Sequence, residues 1–266
     1  MYLNKKICVI IPAYNEEQLI VDTLNSIPTY IDRIYVIDDG SVDGTYDIII
    51  ATAEKRNSII PIQHIKNSGV GAAIISGYRK SLEDEMDISV VMGGDNQMDP
   101  QYIPKLIEPI IEGKADYTKG NRLHNKGYTK GMSSWRLLGN SILTLLTKFS
   151  SGYWNIMDPQ NGYTAISKKA LETINLDSIY AKYGYCNDIL AKLNVYNFNV
   201  MDISIPARYG NERSKIKYYS YILKVSWLLM KNFFWRIKTK YVFINLNPIS
   251  HSREVALKPS ENSREC

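Results

Sequence analysis

The chain is poor in cysteine and contains no long hydrophobic run. Its three cysteines, Cys8, Cys186 and Cys266, lie far apart among 266 residues and do not form the pattern of a disulfide framework or a zinc site. Near the N-terminus two lysines precede an apolar run of about five residues, which is shorter than a signal-peptide core and far shorter than a membrane span. We therefore expect a protein that stays in the reducing cytoplasm.

Composition and charge allow a sizeable core and an anionic ligand. With 45% hydrophobic residues, a chain of 266 residues can form one large α/β domain. The formal net charge of +5 suits anionic partners in general, such as nucleotides, phospholipids or nucleic acid, and does not distinguish among them. Residues 246–266 are polar and lack periodicity, so we expect a disordered tail.

Short apolar segments alternate with helical patterns along most of the chain. The predicted strands cover residues 6–11, 33–37, 59–64, 88–92, 115–119 and 200–205. Helices are predicted at 16–27, 43–56, 100–111, 185–196 and 214–243, with one more ending near Leu82 and another within 121–162. Asn15 and Asp43 are expected to cap the first two helices. The alternation is typical of βαβ units, so it predicts an α/β fold with a mostly parallel sheet flanked by helices.

Acidic residues follow two of the predicted strands. Asp38 and Asp39 end the second strand, and Asp95 follows the fourth strand. An open parallel sheet binds ligands at the carboxyl ends of its strands. A carboxylate there can hold a divalent cation of the magnesium type against a phosphorylated substrate, because such ions share their oxygen ligands with phosphates. Asp95 and Gln97, two residues apart on an extended segment, can both face one such ion.

Six sequence blocks carry a recognisable pattern. They are VIIPAYNEE (9–17), DDGSVDGT (38–45), NSGVGAA (67–73), GDNQMDP (94–100), GNR (120–122) and DPQNGY (158–163). Together they resemble family 2 glycosyltransferases, most of all the branch that acts on dolichyl or polyprenyl phosphate. The resemblance implies a GT-A fold, a GDP- or UDP-hexose donor, a divalent cation (Mg²⁺ or Mn²⁺) and inversion at the anomeric carbon. With such a donor, we expect no nucleic-acid partner.

The resemblance also implies roles for individual residues. The expected nucleoside contacts are Pro12, Tyr14, Glu16, Asp38 and Asp39, the metal ligands are Asp95 and Gln97, and the diphosphate contacts are Arg122, Arg136, Arg208 and Lys215. Asp158 and Gln160 are expected on the acceptor side. The family's usual form has a second acid at the position of Gly93, so this metal site has one carboxylate fewer. The enzyme interpretation therefore depends most on Asp95, which we also count as a catalytic residue.

Asp188 is a second candidate catalytic residue, and it bears on the nature of the acceptor. It lies where family members that glycosylate sugar hydroxyls carry a general base. A hydroxyl acceptor needs such a base, whereas a phosphate acceptor is already largely ionised near neutral pH. If the acceptor is a polyprenyl phosphate, Asp188 only orients other groups. If the acceptor is a sugar hydroxyl, Asp188 is the candidate base.

Residues 213–245, which follow a domain assigned to residues 1–212, predict a long amphipathic helix. Lys217, Lys224, Lys231 and Lys238 recur every seven residues and form one cationic stripe among many aromatic residues. The segment carries too many charges to span a bilayer, and it suits the membrane interface, with tryptophans at headgroup depth and lysines toward anionic lipid. A helix packed on the core with a solvated lysine edge, or a subunit interface, explains the same pattern equally well.

The sequence as a whole indicates an inverting hexosyltransferase that acts on polyprenyl phosphate, peripherally associated with the cytoplasmic face of a membrane. Two other functions stay open. One is transfer to the hydroxyl of a glycan, and the other is nucleotide binding by a membrane partner without catalysis, which Gly93 favours. A sugar-phosphate nucleotidyltransferase fits less well, because the first strand is not followed by the glycine-rich turn and adjacent arginine of those enzymes.

Overall fold

The computed structural model describes residues 1–123, 134–206 and 218–244. Within these ranges it contains seven strands: β1 (Ile7–Ala13), β2 (Arg33–Asp38), β3 (Ile59–Gln63), β4 (Ile88–Val91), β5 (Tyr117–Asn121), β6 (Thr164–Ser167) and β7 (Val200–Ser204). They form one sheet in the order β3-β2-β1-β4-β6-β5-β7. Neighbouring strands run parallel, except that β6 is antiparallel to both β4 and β5. The prediction of a mostly parallel sheet is confirmed.

Helices cover both faces of this sheet. In the described part of the chain they are α1 (Ile20–Ser26), α2 (Thr45–Ala53), α3 (Val70–Glu83), α4 (Ile103–Ile111), α5 (Ser134–Ser151), α6 (Lys168–Thr173), α7 (Tyr185–Val195) and α8 (Tyr218–Ile237). A π-helical segment, Lys238–Ile244, continues α8. The boundary predicted at residue 212 and the tail predicted to be disordered at 246–266 lie outside the described residues.

The central strand β1 is buried on both faces, which is why its sequence is a continuous apolar run. Ile7 and Ile11 pack in the cluster that includes residues of α1 and α4. Cys8 and Ile10 point to the other face and pack in the cluster that includes residues of α3 and α7. The absence of a side chain at Gly77 lets α3 approach the sheet, since a Cβ there would lie 2.4 Å from Cγ2 of Ile10. With both faces covered, the carboxyl ends of the strands are left as the place for a site.

The first helix begins later than the sequence pattern predicts. Asn15 is not its N-cap, because α1 starts at Ile20 and Asn15 has a positive φ of 54°. The Oδ1 atom of Asn15 instead accepts the Val42 N–H at 3.0 Å, which joins the loops after β1 and β2. The capping prediction for Asn15 is therefore wrong. The capping prediction for Asp43 is wrong as well, because the N-cap of α2 is Gly44. The Oδ1 atom of Asp43, one residue earlier, accepts the Thr45 N–H at 3.1 Å.

Helix α8 packs on the domain through α5 and α7. Val225 and Leu229 are buried there. Arg236 donates from Nε to the Ser150 carbonyl at 2.8 Å and from Nη2 to the Phe149 carbonyl at 3.1 Å. Both carbonyls belong to the last turn of α5, where basic groups are favourable. Among the described residues, no helix combines the length and the apolar character that crossing a membrane requires.

Candidate functional site

A cavity of about 520 Å³ lies at the carboxyl ends of β1, β2 and β4. Its lining includes eight of the residues that the sequence singles out: Pro12, Tyr14, Glu16, Asp39, Asp95, Gln97, Arg122 and Gln160. Three more, Asp38, Asp158 and Asp188, are described by the structure but are not part of this lining. Arg136 belongs to α5, with its side chain outside the described residues, and Arg208 and Lys215 fall in the segment 207–217, which is also outside them.

The carboxylate of Asp39 is held by the loop that follows β3. Only 3% of Asp39 is exposed. Its Oδ1 accepts the Ser68 N–H at 2.9 Å and lies 2.8 Å from Nδ1 of His64, while its Oδ2 accepts the Gly69 N–H at 2.7 Å. The other ring nitrogen of His64 lies 2.9 Å from Ser76 Oγ. These contacts fix Asp39 at the cavity wall, and sequence reasoning missed His64 because no motif marks the end of β3.

Asp38 lies just before Asp39 and is fully buried. Its Oδ1 accepts the Ser41 N–H at 3.2 Å, and its Oδ2 accepts a longer hydrogen bond of 3.4 Å from Nε2 of Gln63. These contacts stabilise the turn after β2, so Asp38 supports the cavity without lining it. A contact between Asp38 and a nucleoside stays a prediction.

Asp95 and Gln97 line the cavity directly after β4. The Gln97 N–H donates to Asp95 Oδ1 at 3.2 Å, so the chain turns around this carboxylate. A Cβ at Gly93 would lie 2.9 Å from the same oxygen, which means that an acid at position 93 would displace the Asp95 carboxylate. No group of three acids, histidines or cysteines within the described ranges could hold a metal ion. A cation held by Asp95 and Gln97 would therefore complete its shell with oxygens from water or a phosphate.

Arg122, at the end of β5, forms a two-point ion pair with Asp158. Its Nε lies 2.7 Å from Oδ2 and its Nη2 lies 3.1 Å from Oδ1 of that carboxylate. The Asp158 side chain is 3% exposed, whereas the Arg122 side chain is 23% exposed and reaches the cavity. A bidentate pair of this kind fixes the plane of the guanidinium. Asp158 thus orients Arg122, and a contact between Asp158 and an acceptor stays a prediction.

Two further charged residues lie within the neighbouring strands β5 and β7, near the end of β5 that Arg122 follows. Lys119 of β5 is fully buried and donates from Nζ to the Asn161 carbonyl, while Asn161 itself lines the cavity. Asp202 of β7 lies beside Lys119 in the strand register. Sequence reasoning missed both residues because a charged residue within a strand ordinarily marks a solvent-facing position, and neither belongs to a motif.

The environment of these strands changes the titration of the Asp202 carboxyl. Its Oδ2 accepts Nδ2–H of Asn121 at 2.9 Å and the Met157 N–H at 2.7 Å, whereas its buried Oδ1 has no hydrogen-bond partner among the described residues. Burial raises the pKa of Asp202 from 3.8 to about 6. The nearby charge of Asp158 adds to this rise, and the hydrogen bonds and Lys119 oppose it.

Asp188 lies in the first turn of α7, behind the cavity wall. Its side chain is 3% exposed and forms an ion pair with Lys192, whose Nζ lies 2.9 Å from Oδ1. Its Oδ2 accepts the Tyr180 N–H at 2.7 Å. This geometry agrees with the alternative in which Asp188 orients other groups. The sequence had marked Asp188 but not Lys192, although a spacing of four residues on a helix allows such a pair.

Comparison with known proteins relates the chain to sugar transferases. A family model described as glycosyl transferase family 2 matches residues 8–175. The UDP-N-acetylglucosamine--dolichyl-phosphate N-acetylglucosaminyltransferase of Methanococcus voltae is 34% identical over 215 residues, covering 75% of this chain and 85% of that protein. The undecaprenyl-phosphate mannosyltransferase of Micrococcus luteus is 28% identical over 203 residues, covering 75% and 82%.

Solved structures are similar to this fold. The glucosyl-3-phosphoglycerate synthase from Mycobacterium tuberculosis, in complex with Mn²⁺ and uridine-diphosphate-glucose, has a TM-score of 0.65 at 20% identity. The similarity covers 88% of this chain and 79% of that one. The S. aureus TarS fragment 1–349 in complex with UDP has a TM-score of 0.55 at 17% identity, covering 96% and 76%. At these identities the likeness shows the fold, and that fold is GT-A.

We expect the stability of the protein to depend on the Asp202 carboxyl between about pH 4 and 6. Since its pKa is about 6 in the native protein and ordinarily 3.8, the native state binds more protons than the unfolded chain in this window. The free energy of unfolding therefore falls as the pH rises from about 4 to 6, because the buried Asp202 carboxyl loses its proton in the native state. Asp202→Asn has no carboxyl to ionise at this position. Between about pH 4 and 6 its free energy of unfolding should therefore rise by roughly 1–3 kcal/mol relative to that of the wild type.

Urea unfolding of both proteins at about pH 4.5 and pH 7 measures this difference. Asp22→Asn, which changes an exposed carboxyl on α1, serves as the control. A difference between Asp202→Asn and wild type that is the same at both pH values would contradict the assignment.

Proposed function

The chain belongs to glycosyl transferase family 2, and on this basis we propose that it transfers a hexose from a uridine diphosphate sugar to a polyprenyl phosphate. The observation that carries the proposal is the cavity in which Asp39, Asp95 and Arg122 converge. An acceptor for the nucleoside, an oxygen ligand for a cation and a guanidinium for phosphate are the groups that such a donor requires. The relatives named for dolichyl and undecaprenyl phosphate support a lipid phosphate as the acceptor.

The cavity suits the cleavage of a sugar-diphosphate bond. As the bond between the anomeric carbon and the diphosphate breaks, negative charge grows on the leaving group and must be stabilised. Arg122 is oriented for this task by Asp158 before any substrate binds, so its guanidinium need not reorganise during the reaction. The predicted diphosphate contacts Arg136, Arg208 and Lys215 would add to the same charge.

The hydrogen bonds around Asp39 favour uracil over guanine. An ionised carboxylate offers about four acceptor positions. In Asp39 three of them are used by His64, Ser68 and Gly69. The remaining position suits the single N3–H of uracil, whereas the two adjacent N–H groups on the edge of guanine need two. The relative from Methanococcus voltae, named for a UDP-sugar, supports the same nucleotide.

Asp95 and Gln97 would hold the divalent cation. Carboxylate and amide oxygens suit Mg²⁺ and Mn²⁺, and Gly93 leaves room for the Asp95 carboxylate in its present position. When bound, such an ion supplies Lewis-acid stabilisation of the leaving diphosphate. The Mn²⁺ named for the Mycobacterium tuberculosis neighbour supports this role.

A polyprenyl phosphate acceptor needs no general base. Its phosphate is largely ionised at neutral pH, with a second pKa of roughly 6. One of its oxygens can therefore attack the anomeric carbon directly as the diphosphate leaves from the opposite side, which inverts that centre. Asp188, the sequence candidate for a base, has both carboxylate oxygens bonded to Lys192 and Oδ2 also to the Tyr180 N–H. This arrangement favours a phosphate acceptor over a sugar hydroxyl.

A lipid acceptor requires contact with a membrane surface, and α5 and α8 suit that contact. The apolar side chains that are about half to two-thirds exposed include Ile142, Leu145 and Phe149 on α5 and Leu223, Trp227 and Phe234 on α8. Lys224 and Lys231 are exposed on α8 as well. Apolar groups with adjacent lysines are typical of helices that lie at the interface of anionic membranes. Helix α8 would thus pack on the domain with one face and meet lipid with the other.

We expect the purified protein to bind UDP more tightly than GDP and to transfer hexose from a UDP-sugar to polyprenyl phosphate. A ligand that binds only the native state raises the melting temperature, and at equal concentration the tighter ligand raises it more, so UDP should give a larger shift than GDP. Transfer from labelled UDP-hexoses to undecaprenyl phosphate and to an oligosaccharide measures the second part. A larger shift with GDP would contradict the base preference, and product on the oligosaccharide alone would contradict the acceptor.

We expect Asp95→Asn to lose most of the manganese-dependent affinity for UDP. A charged contact is worth about 1.5–3 kcal/mol, so the dissociation constant in Mn²⁺ should rise roughly tenfold or more. Affinity measured with a chelator should change little. Asp99→Asn is a matched control, because Asp99 accepts the Gln101 N–H at 3.0 Å in the next turn and asparagine preserves that bond. Calorimetry measures the UDP affinity of both variants with and without Mn²⁺. If Mn²⁺ raised the UDP affinity of both variants equally, Asp95 would not be the metal ligand.

We expect the double variant Trp227→Glu/Phe234→Glu to bind anionic vesicles several-fold more weakly than the wild type. Trp227 and Phe234 are 67% and 64% exposed, so their replacement disturbs lipid contact rather than the core. Leu3→Glu, at a residue that is 65% exposed near the N-terminus, is the control. Sedimentation with vesicles of phosphatidylcholine and phosphatidylglycerol measures the bound fraction. Undiminished binding by the double variant would show that this surface does not meet the membrane.

A further inference from the structure

Asp188 and Lys192 form a buried ion pair within α7. The Nζ of Lys192 lies 2.9 Å from Oδ1 and 3.0 Å from Oδ2 of Asp188, and the two side chains are 7% and 3% exposed. The Asp188 Oδ2 also accepts the Tyr180 N–H at 2.7 Å. On its other side, Lys192 Nζ lies 5.0 Å from the ring centroid of Trp235 on α8. Both carboxylate oxygens are therefore engaged inside the protein.

The Tyr180 N–H belongs to the segment 180–184, whose last residues line the cavity. This segment rests on the turn that opens α3. The Ala181 carbonyl accepts the Ala72 N–H at 2.9 Å. The approach is close because Gly71 has no side chain, since a Cβ there would lie 2.3 Å from the Tyr180 carbonyl oxygen. The position of this wall thus depends on a close backbone contact that a side chain at position 71 would prevent.

The same turn is bonded to Asp39 through the Ser68 and Gly69 N–H groups. Asp39 therefore holds the turn from the side of β2, and Asp188 holds the opposing segment from the side of α7. A shift of the segment 180–184 would disturb both the cavity wall and the turn on which the Asp39 carboxylate depends.

From these contacts we propose that Asp188 is a positioning residue of the transfer reaction. Together with Lys192 it holds the segment 180–184 as a wall of the donor cavity, and it does not remove a proton from the acceptor. A general base must come within hydrogen-bond reach of the proton that it removes, whereas this carboxylate is bonded to groups behind the wall. The assignment rests on the proposed function. It gives Asp188 a structural role at the position where relatives that glycosylate hydroxyls carry a general base.

Wild type and the variants Asp188→Asn, Lys192→Met and Asp188→Asn/Lys192→Met test the assignment. Asp188→Asn keeps one oxygen acceptor but leaves Lys192 without a counter-ion, so the Kd for UDP should rise while kcat stays within about tenfold of wild type, with an unchanged pH profile. Lys192→Met leaves a buried carboxylate without its cation, so the Kd for UDP and the KM for the UDP-sugar should rise about tenfold or more. In the double variant the uncompensated charge is gone, and both constants should return toward those of the wild type.

This recovery distinguishes positioning from proton transfer. If Asp188 were the base, its removal from Lys192→Met would lower kcat further, and Asp188→Asn alone would lower kcat by roughly 10²–10⁴-fold. Either of these results, in a variant that is folded at the assay temperature, would overturn the positioning assignment. Wild-type UDP affinity in Lys192→Met would overturn it as well. If Lys192→Met does not fold, kcat and the pH profile of Asp188→Asn decide the question.

Lys80→Met is the matched control for the loss of an ion pair on a helix. Lys80 Nζ lies 3.0 Å from Asp84 at the same four-residue spacing, but on the surface of α3. This variant should keep wild-type kcat, KM and UDP affinity. Because UDP affinity is measured without an acceptor, the positioning assignment is tested even if the wild type transfers no sugar to polyprenyl phosphate. That last result would instead refute the proposed function.

Discussion

Strand β1 pairs in parallel with β2 on one side and with β4 on the other, and the functional site follows from this pairing. The register places Ala13 beside Asp38 and Ile10 beside Val91, so the residues after these strands leave the sheet at the same edge. Helices cover both faces, and polar groups at the strand ends can therefore gather only at that edge. Asp39 and Asp95 meet at one cavity because the sheet brings their strands together.

Three charged groups at or near the cavity are held by partners inside the protein. Arg122 is paired with Asp158, Asp188 is paired with Lys192, and Asp39 is fixed by the loop after β3. Burial of such pairs costs desolvation energy, so they contribute little net stability. What they provide is a fixed orientation, which lets charge that develops during a reaction meet dipoles and ions already in place. Gly93 belongs to the same arrangement, since a Cβ at this position would lie 2.9 Å from Oδ1 of Asp95.

Local sequence patterns predicted much of this fold, and they failed where distant contacts competed with them. The strands β1 to β4 were predicted because each is a short, mainly apolar run with turn residues near its ends. Strand β6 was missed because its four residues carry too short a pattern, and only its neighbours β4 and β5 make it a strand. Asn15 was predicted to cap α1, but its side chain bonds to Val42 from the loop after β2. Capping rules describe neighbours along the chain, and this partner comes from a loop 27 residues away.

By itself, the sequence determined the family, the α/β class and the acidic ends of the second and fourth strands, because these depend on residue type and on order along the chain. Only the tertiary structure decided which acids face the cavity and which are bonded inside the protein. Asp158 is 36 residues from Arg122 in the chain, yet the two form one ion pair. The role of a carboxylate depends on the groups that reach it, and folding brings those groups from separate segments that local spacing does not relate.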